Sequence, residues 1–221
     1  MTTLSKHLVG ASAEDVPDIL RANLRQGREL DLLSAASWLL AIHTTDRTDY
    51  LTYMVNNREA AAGAALQAFA TLLPEGEHRD MVLEGLGHRV DHLPDWVDYL
   101  NHIYVTGQRY RVARADGMRE VLICGLQLID GPLHTVTVAR EPAGGPITEV
   151  LLVDASANLV ADSYAEEPGL LDAERLTMAE LSAALDDALA RTLGTGQQTP
   201  TWPIHMALTL WLSRLVSGEK R

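Results

Sequence analysis

A chain of 221 residues has room for one large or two small domains, and at that size folding buries roughly 70% of the unfolded surface, so no covalent staples are needed. Its single cysteine, Cys124, excludes an internal disulfide framework and a cysteine zinc site. A formal net charge of −12 opposes nucleic acid and anionic membrane, whose binding relies on Lys and Arg neutralising phosphates.

No run approaches the roughly 18 apolar residues of a spanning helix. The opening MTTLSKHLVGASAED has only a two-residue apolar core and early acids, unlike a secretory signal, so a cytoplasmic protein is expected. Arginine and alanine abound while only Lys6 and Lys220 are lysines, the composition of a high-GC bacterial genome.

Residues 1–102 read as a helical region. Ser12 or Asp15 caps a first helix in which Val16, Ile19, Leu20 and Leu24 recur at helical spacing, with Gly27 at its end. RELDLLSAASWLLAI carries so wide an apolar band that it predicts a helix buried on most of its surface. After Asn57, REAAAGAALQAFATLL is rich in helix-favouring alanine and is stopped by Pro74-Glu75-Gly76. Two short helices follow, over 77–86 and 94–102.

After Ile103 the period alternates, and residues 103–221 read as an antiparallel sheet with C-terminal helices. YVTGQRYRVAR puts Tyr110 and Val112 on one face and Arg109 and Arg111 on the other, then Ala115-Asp116-Gly117 turns the chain. REVLICGLQLI is apolar on both faces and predicts a central strand. Asp130-Gly131-Pro132 is a second hairpin signal and leads into HTVTVAR.

The glycines of EPAGGP raise the alternative of a phosphate cradle. Such a loop opens a helix and usually ends in Lys-Ser or Lys-Thr, whereas this one carries Glu141 and runs into the β-branched ITEVLLVD, so it reads as a hairpin turn. A turn over 154–158 is then expected to lead to an edge strand LVADSY. The sum is an α+β fold with about four or five antiparallel strands.

The chain returns to helix at Thr177, where Glu180 stands three residues after the capping threonine and Met178, Leu181, Leu185 and Leu189 line one side. After the link GTGQQTP, a last helix starting near Thr201 buries Ile204, Leu208, Trp211, Leu212 and Leu215. These two helices are expected to cover one face of the sheet.

LPDWVDYL, IYVTGQRYRV, REVLICGLQL, GPLHTVTVAREPAGGPITEVLLVD and TWPIHMALTLWLSRL resemble segments of an uncharacterised actinobacterial protein family. In that family the chain also runs Pro-x-Trp, Val-Thr-Gly, two hairpins and a final Trp-Pro helix. The resemblance spans roughly residues 93–216 and implies the fold and the class of organism, but no activity. The family's Asp-His-Asn-like segment before the glycines is replaced here by Arg140-Glu141-Pro142, so no site built on it carries over.

His88 and His92, with Asp91 and Asp95, have metal-like spacing, but Gly87 and Pro94 leave no room for a long helix and no Glu follows the first His, so an exposed helix end is expected. Asp154, Ser156, Asn158 and Asp162 fit calcium-loop positions 1, 3, 5 and 9, yet Leu159 holds the glycine position and Ala165 that of the bidentate glutamate. No metal and no cofactor is expected.

Cys124 belongs to an apolar strand and reads as core. His134 shares a strand face with Val136 and Val138, and it and His205 could in principle form an acid–base pair with Asp154 at a strand end, though both read as structural. No nucleophile elbow or nucleotide fingerprint accompanies it. His205, in the last helix, could be buried or free.

Two functional expectations follow. One is a non-catalytic accessory or regulatory protein that binds a protein partner or a second copy through its helical front or its acidic face, because no catalytic motif is found and residues 162–187 hold eight acids against Arg175 alone. The other is a small-ligand-binding protein or enzyme with a site at the helix–sheet junction, built on Arg109, Arg111, His134 and Arg140.

Overall fold

The computed structural model describes residues 18–22, 29–89, 92–129, 131–166, 169, 171–195 and 202–218, the side chains of 195 and 202–204 excepted. The chain divides into two compact units, a helical one within Thr3–His102 and Pro203–Trp211, and a sheet-bearing one within Ile103–Trp202 and Leu212–Lys220. Among the described residues no helix is long and apolar enough to cross a membrane.

In the helical unit, residues 18–22 form one helical turn. They precede α1 (Glu29–Ile42), α2 (Arg47–Asn56), α3 (Ala60–Leu72) and α4 (Glu77–Gly87), then the single turn α5 (Asp95–Asp98) and a 3₁₀ turn, Tyr99–His102. α1 and α3 pack together and are buried nearly all round, as their apolar bands predict. Helix α2 is the one that period did not single out, since it buries only Leu51 and Met54. It meets α4 closely: a Cβ on Gly85 would lie 2.6 Å from a Val55 methyl, so only glycine fits there.

The sheet unit holds β1 (Tyr104–Ala113), β2 (Glu120–Gln127), β3 (Leu133–Arg140) and β4 (Ile147–Val153), followed by α6 (Ala157–Ala165), β5 (Glu174–Arg175) and α7 (Met178–Thr195). The strand order is β4-β3-β2-β1-β5, antiparallel throughout, with β2 central and buried on both faces. Gly117 takes φ +70° in the first hairpin. Gly144 takes φ +73° in the turn at EPAGGP, which joins β3 to β4 as a hairpin and opens no helix. Asp130 of the second turn lies outside the described residues.

One expectation fails. LVADSY is no edge strand but the body of α6; the fifth strand is the two-residue Glu174–Arg175 on the other side of β1. The reason is spacing: Ala157, Val160, Ala161 and Tyr164 recur at i, i+3, i+4 and i+7 and pack on Val112, Val121, Ile123 and Ala139 of the sheet. Gly125 lets α6 come close, since a Cβ there would lie 3.3 Å from Ala157 Cβ and 2.4 Å from Thr106 Oγ1.

Two helices of the C-terminal part pack on the sheet, α6 and α7. They take opposite faces, because Ala139 touches the α6 core while its neighbour Arg140 reaches Asp187 of α7. Helix α7 starts with the expected capping box: Thr177 Oγ1 accepts from Glu180 N at 3.2 Å and Glu180 Oε2 accepts from Thr177 N at 2.8 Å. That backbone hydrogen bond holds the Glu180 carboxyl below its usual range.

The last helix, α8 (Trp202–Ser217), gives residues up to Trp211 to the helical unit and those from Leu212 on to the sheet unit. Leu208, Trp211 and Leu212 are buried as expected, Leu215 only partly. Thr201 and the Ile204 side chain lie outside the described residues.

Candidate functional site

Strand register puts Arg109, Arg111, His134 and Arg140 on the face of the sheet that α7 covers. Arg111 stands opposite Leu122 and then Val138, Arg109 opposite Cys124 and then Val136, His134 opposite Leu126, and Arg140 opposite Glu120. Residues paired across strands point to the same side, so this face carries a charged end and an aliphatic middle.

At the charged end the groups converge on Glu120. Its Oε2 accepts from both Nε and Nη2 of Arg140, the first at 2.8 Å, while its Oε1 lies 2.8 Å from Arg111 Nε. Arg140 Nη1 donates to Asp187 Oδ2 at 2.9 Å, and Asp187 also accepts from Arg191 at 2.9 Å. Arg111 reaches Glu174 at 3.5 Å. The Glu120 and Arg140 side chains are only 8% and 5% exposed, so their mutual charge compensation is what permits burial. The hydrogen bonds from Arg191 and Arg140 keep the Asp187 carboxyl below its usual range.

Three carboxylates, Glu120, Asp187 and Glu174, thus meet three guanidiniums, Arg111, Arg140 and Arg191, and each group has a partner. Such a cluster holds α7 to the edge of the sheet. Arg109 stays apart, donating to Thr106 O at 2.7 Å and Leu176 O at 3.3 Å.

His134 lies at the other end of β3, six positions from Arg140 and so roughly 20 Å away. Its Nδ1 is 3.1 Å from Asp154 Oδ1; the imidazole is 5% exposed and the carboxylate 57%. Here the carboxylate orients a buried ring, in keeping with the structural histidine favoured from sequence. The four predicted site residues therefore form two separate places and one outlier.

Glu120 and Asp187 escaped sequence reading. For Glu120 the signal existed, since it alternates in phase with Leu122, Cys124 and Leu126 and so had to face inward. Asp187 carried no such signal within an acidic helix. Cys124 is core, its thiol pushed up to about 12 by burial, with Arg109 pulling slightly the other way. His88 caps α4 and is exposed, and Asp91 lies outside the described residues. Asn158 and Asp162 stand on α6, where Asn158 Oδ1 accepts from the Tyr110 hydroxyl, so they form no calcium loop. Among the described residues no group of three or more His, Cys, Asp or Glu gathers as metal ligands would.

Comparison with protein-family models, with curated proteins and with solved structures finds no match to this chain.

Proposed function

We propose that this chain is a non-catalytic accessory or regulatory protein that docks on a basic protein partner through the outer face of α6. Its relation to the actinobacterial family that it resembles belongs to the same reading. The observation that carries it is the make-up of that face. Leu159, Asp162, Ser163 and Glu166 recur at i, i+3, i+4 and i+7 on the side away from the sheet, and Leu159 is 65% exposed.

Acids in the last turn of a helix oppose its dipole, each at a cost of about 0.3–1 kcal/mol, and α6 has no basic residue there. A basic partner relieves that cost and covers the leucine. The acidic stretch divides along the same line. Glu174, Glu180, Asp186 and Asp187 are spent on Arg111, Thr177, Ser213 and the Arg140/Arg191 pair. Asp162, Glu166 and Asp172 have no ion pair among the described residues. The saturated cluster around Glu120 supports the non-catalytic part of the reading, as it leaves no charge over for a substrate.

The test is affinity capture from an extract of the encoding organism with the wild-type chain and with Asp162→Lys/Glu166→Lys. A basic protein retained at low salt, released as salt screens the field and lost with the double variant is the expected result. Equal capture by both chains overturns the reading. A stable homodimer through α6, seen by light scattering, replaces it with self-association.

A further inference from the structure

The helical unit contains a cavity of about 150 Å³ between α1, α2, α3 and the turn at 18–22. Its floor is apolar: Leu39 of α1, Met54 of α2, and Ala61 and Ala62 in the first turn of α3. The two alanines leave the space, because any longer side chain at the start of α3 would fill it. A volume of this size accepts one benzene-sized ring.

The wall is built differently. His43 and Tyr50 stack with ring centroids 3.8 Å apart and planes 4° from parallel, and Tyr50 meets Phe69 edge-on at 6.1 Å. These contacts fix both rings, and burial drives the Tyr50 phenol pKa upward, so it stays neutral. Asp46 lies 3.0 Å from His43 Nδ1, and that hydrogen bond holds the Asp46 carboxyl below its usual range. An ionised Asp46 accepts from Nδ1–H, which makes Nε2 the acceptor of the neutral imidazole.

The charges at the rim are engaged. Glu59 is paired with Arg21 at 2.7 Å, Arg21 also holds Asp18 at 2.8 Å, and Arg89 donates to the backbone carbonyls of Asn57 and Glu59, the latter at 2.9 Å. An anion entering the apolar space would lose its hydration with both guanidiniums already committed. The Arg21–Glu59 pair also pins the turn at 18–22, and with it the buried Leu20, over the cavity.

We propose that this pocket binds a small neutral monocyclic aromatic carrying one hydroxyl or N–H donor, with its ring over Leu39, Met54, Ala61 and Ala62 and its donor on His43 Nε2. The apolar lining supplies the affinity and the His43 acceptor supplies the selection. The site is independent of the α6 face, so either inference can fail without the other.

Isothermal titration of the full chain with phenol, toluene and benzoate tests it. Phenol is expected to bind with a Kd below about 1 mM, toluene roughly tenfold more weakly for want of one hydrogen bond, and benzoate about a hundredfold more weakly. His43→Phe keeps the stack on Tyr50 but removes the acceptor, so phenol should fall to the affinity of toluene while toluene is unchanged. Ala62→Leu should abolish both, with circular dichroism to establish that it folds. If that variant does not fold, the phenol-to-toluene ratio in His43→Phe decides alone. No phenol binding, benzoate binding as tight as phenol, or a ratio unaltered by His43→Phe overturns the proposal.

Discussion

Glu120 with Arg140 in the sheet unit and His205 in the helical unit are buried in opposite ways. The sheet unit matches charge with charge, so that Glu120 and Arg140 are both nearly inaccessible and both satisfied. The helical unit buries His205 completely, and neither ring nitrogen finds a hydrogen-bond partner among the described residues. It also keeps an open cavity where the sheet unit closes its core with α6. A satisfied network rigidifies, whereas an unpaired buried group and an unfilled space store free energy that a proton or a ligand can release. The buried charged residues of the sheet unit build structure, whereas the cavity of the helical unit lies among alanines and aromatics.

Three measurements bear on this contrast. The largest effect is expected at Arg140. Arg140→Met leaves the buried Glu120 with Arg111 alone and takes one of two guanidiniums from Asp187, and should cost about 3–5 kcal/mol in urea unfolding, while Arg140→Met with Glu120→Leu should recover most of that loss. A single-variant cost under about 1 kcal/mol would show that the network does not hold the sheet unit together.

Next is His205. Burial lowers its pKa from 6.5 to about 4, so the unfolded chain takes up the proton first as pH falls. Stability is therefore highest above pH 6.5, declines as pH drops toward 4 and levels off below, a loss on the order of 3 kcal/mol. The difference between wild type and His205→Leu across that window isolates the effect. A wild-type slope that persists unchanged in the variant would remove the contrast between paired and unpaired burial.

The smallest effect sharpens the reading of α6. Asp162→Lys and Glu166→Lys replace acids with bases at a helix C-terminus, and each should raise stability by about 0.3–1 kcal/mol at low salt while weakening partner capture. Thermal unfolding at two salt concentrations checks it. Loss of stability would mean that these acids serve the fold.

Much of the fold was legible because local pattern and tertiary demand agree. Alternation after Ile103, Gly117 and the turn at EPAGGP specify hairpins by backbone geometry alone, and the inward phase of REVLICGLQLI marks a central strand before any partner is known. The failure at LVADSY has an equally local cause. Its β-branched and aromatic residues favour a strand, but Ala157, Val160, Ala161 and Tyr164 also lie at helical spacing, and a short segment fits both periods until something must be covered. The α6 face of β1–β3 was what had to be covered.

The candidate sites divide in the same way. The start of β3 and the end of β4 meet in a hairpin, which brings His134 to Asp154, but the sequence left His205 as an equal candidate for that carboxylate. The partners of Arg140 could not be read in advance, because Asp187 lies 47 positions on and reaches it only when α7 crosses the sheet. The pocket was invisible for the same reason: His43, Tyr50 and Ala62 belong to three segments with no shared period, and nothing in the order of residues says that their helices leave a gap.

The sequence by itself determined the strand phases, the turns, the capping box at Thr177 and the burial of α1 and α3, all consequences of interactions within a few residues or of one periodic face. Tertiary structure decided that LVADSY is a helix, which acids are spent and which are free, and that alanines beside a histidine–tyrosine stack enclose a space. Those outcomes depend on side chains far apart in the chain, and long-range packing, unlike helix period or strand alternation, leaves no local mark.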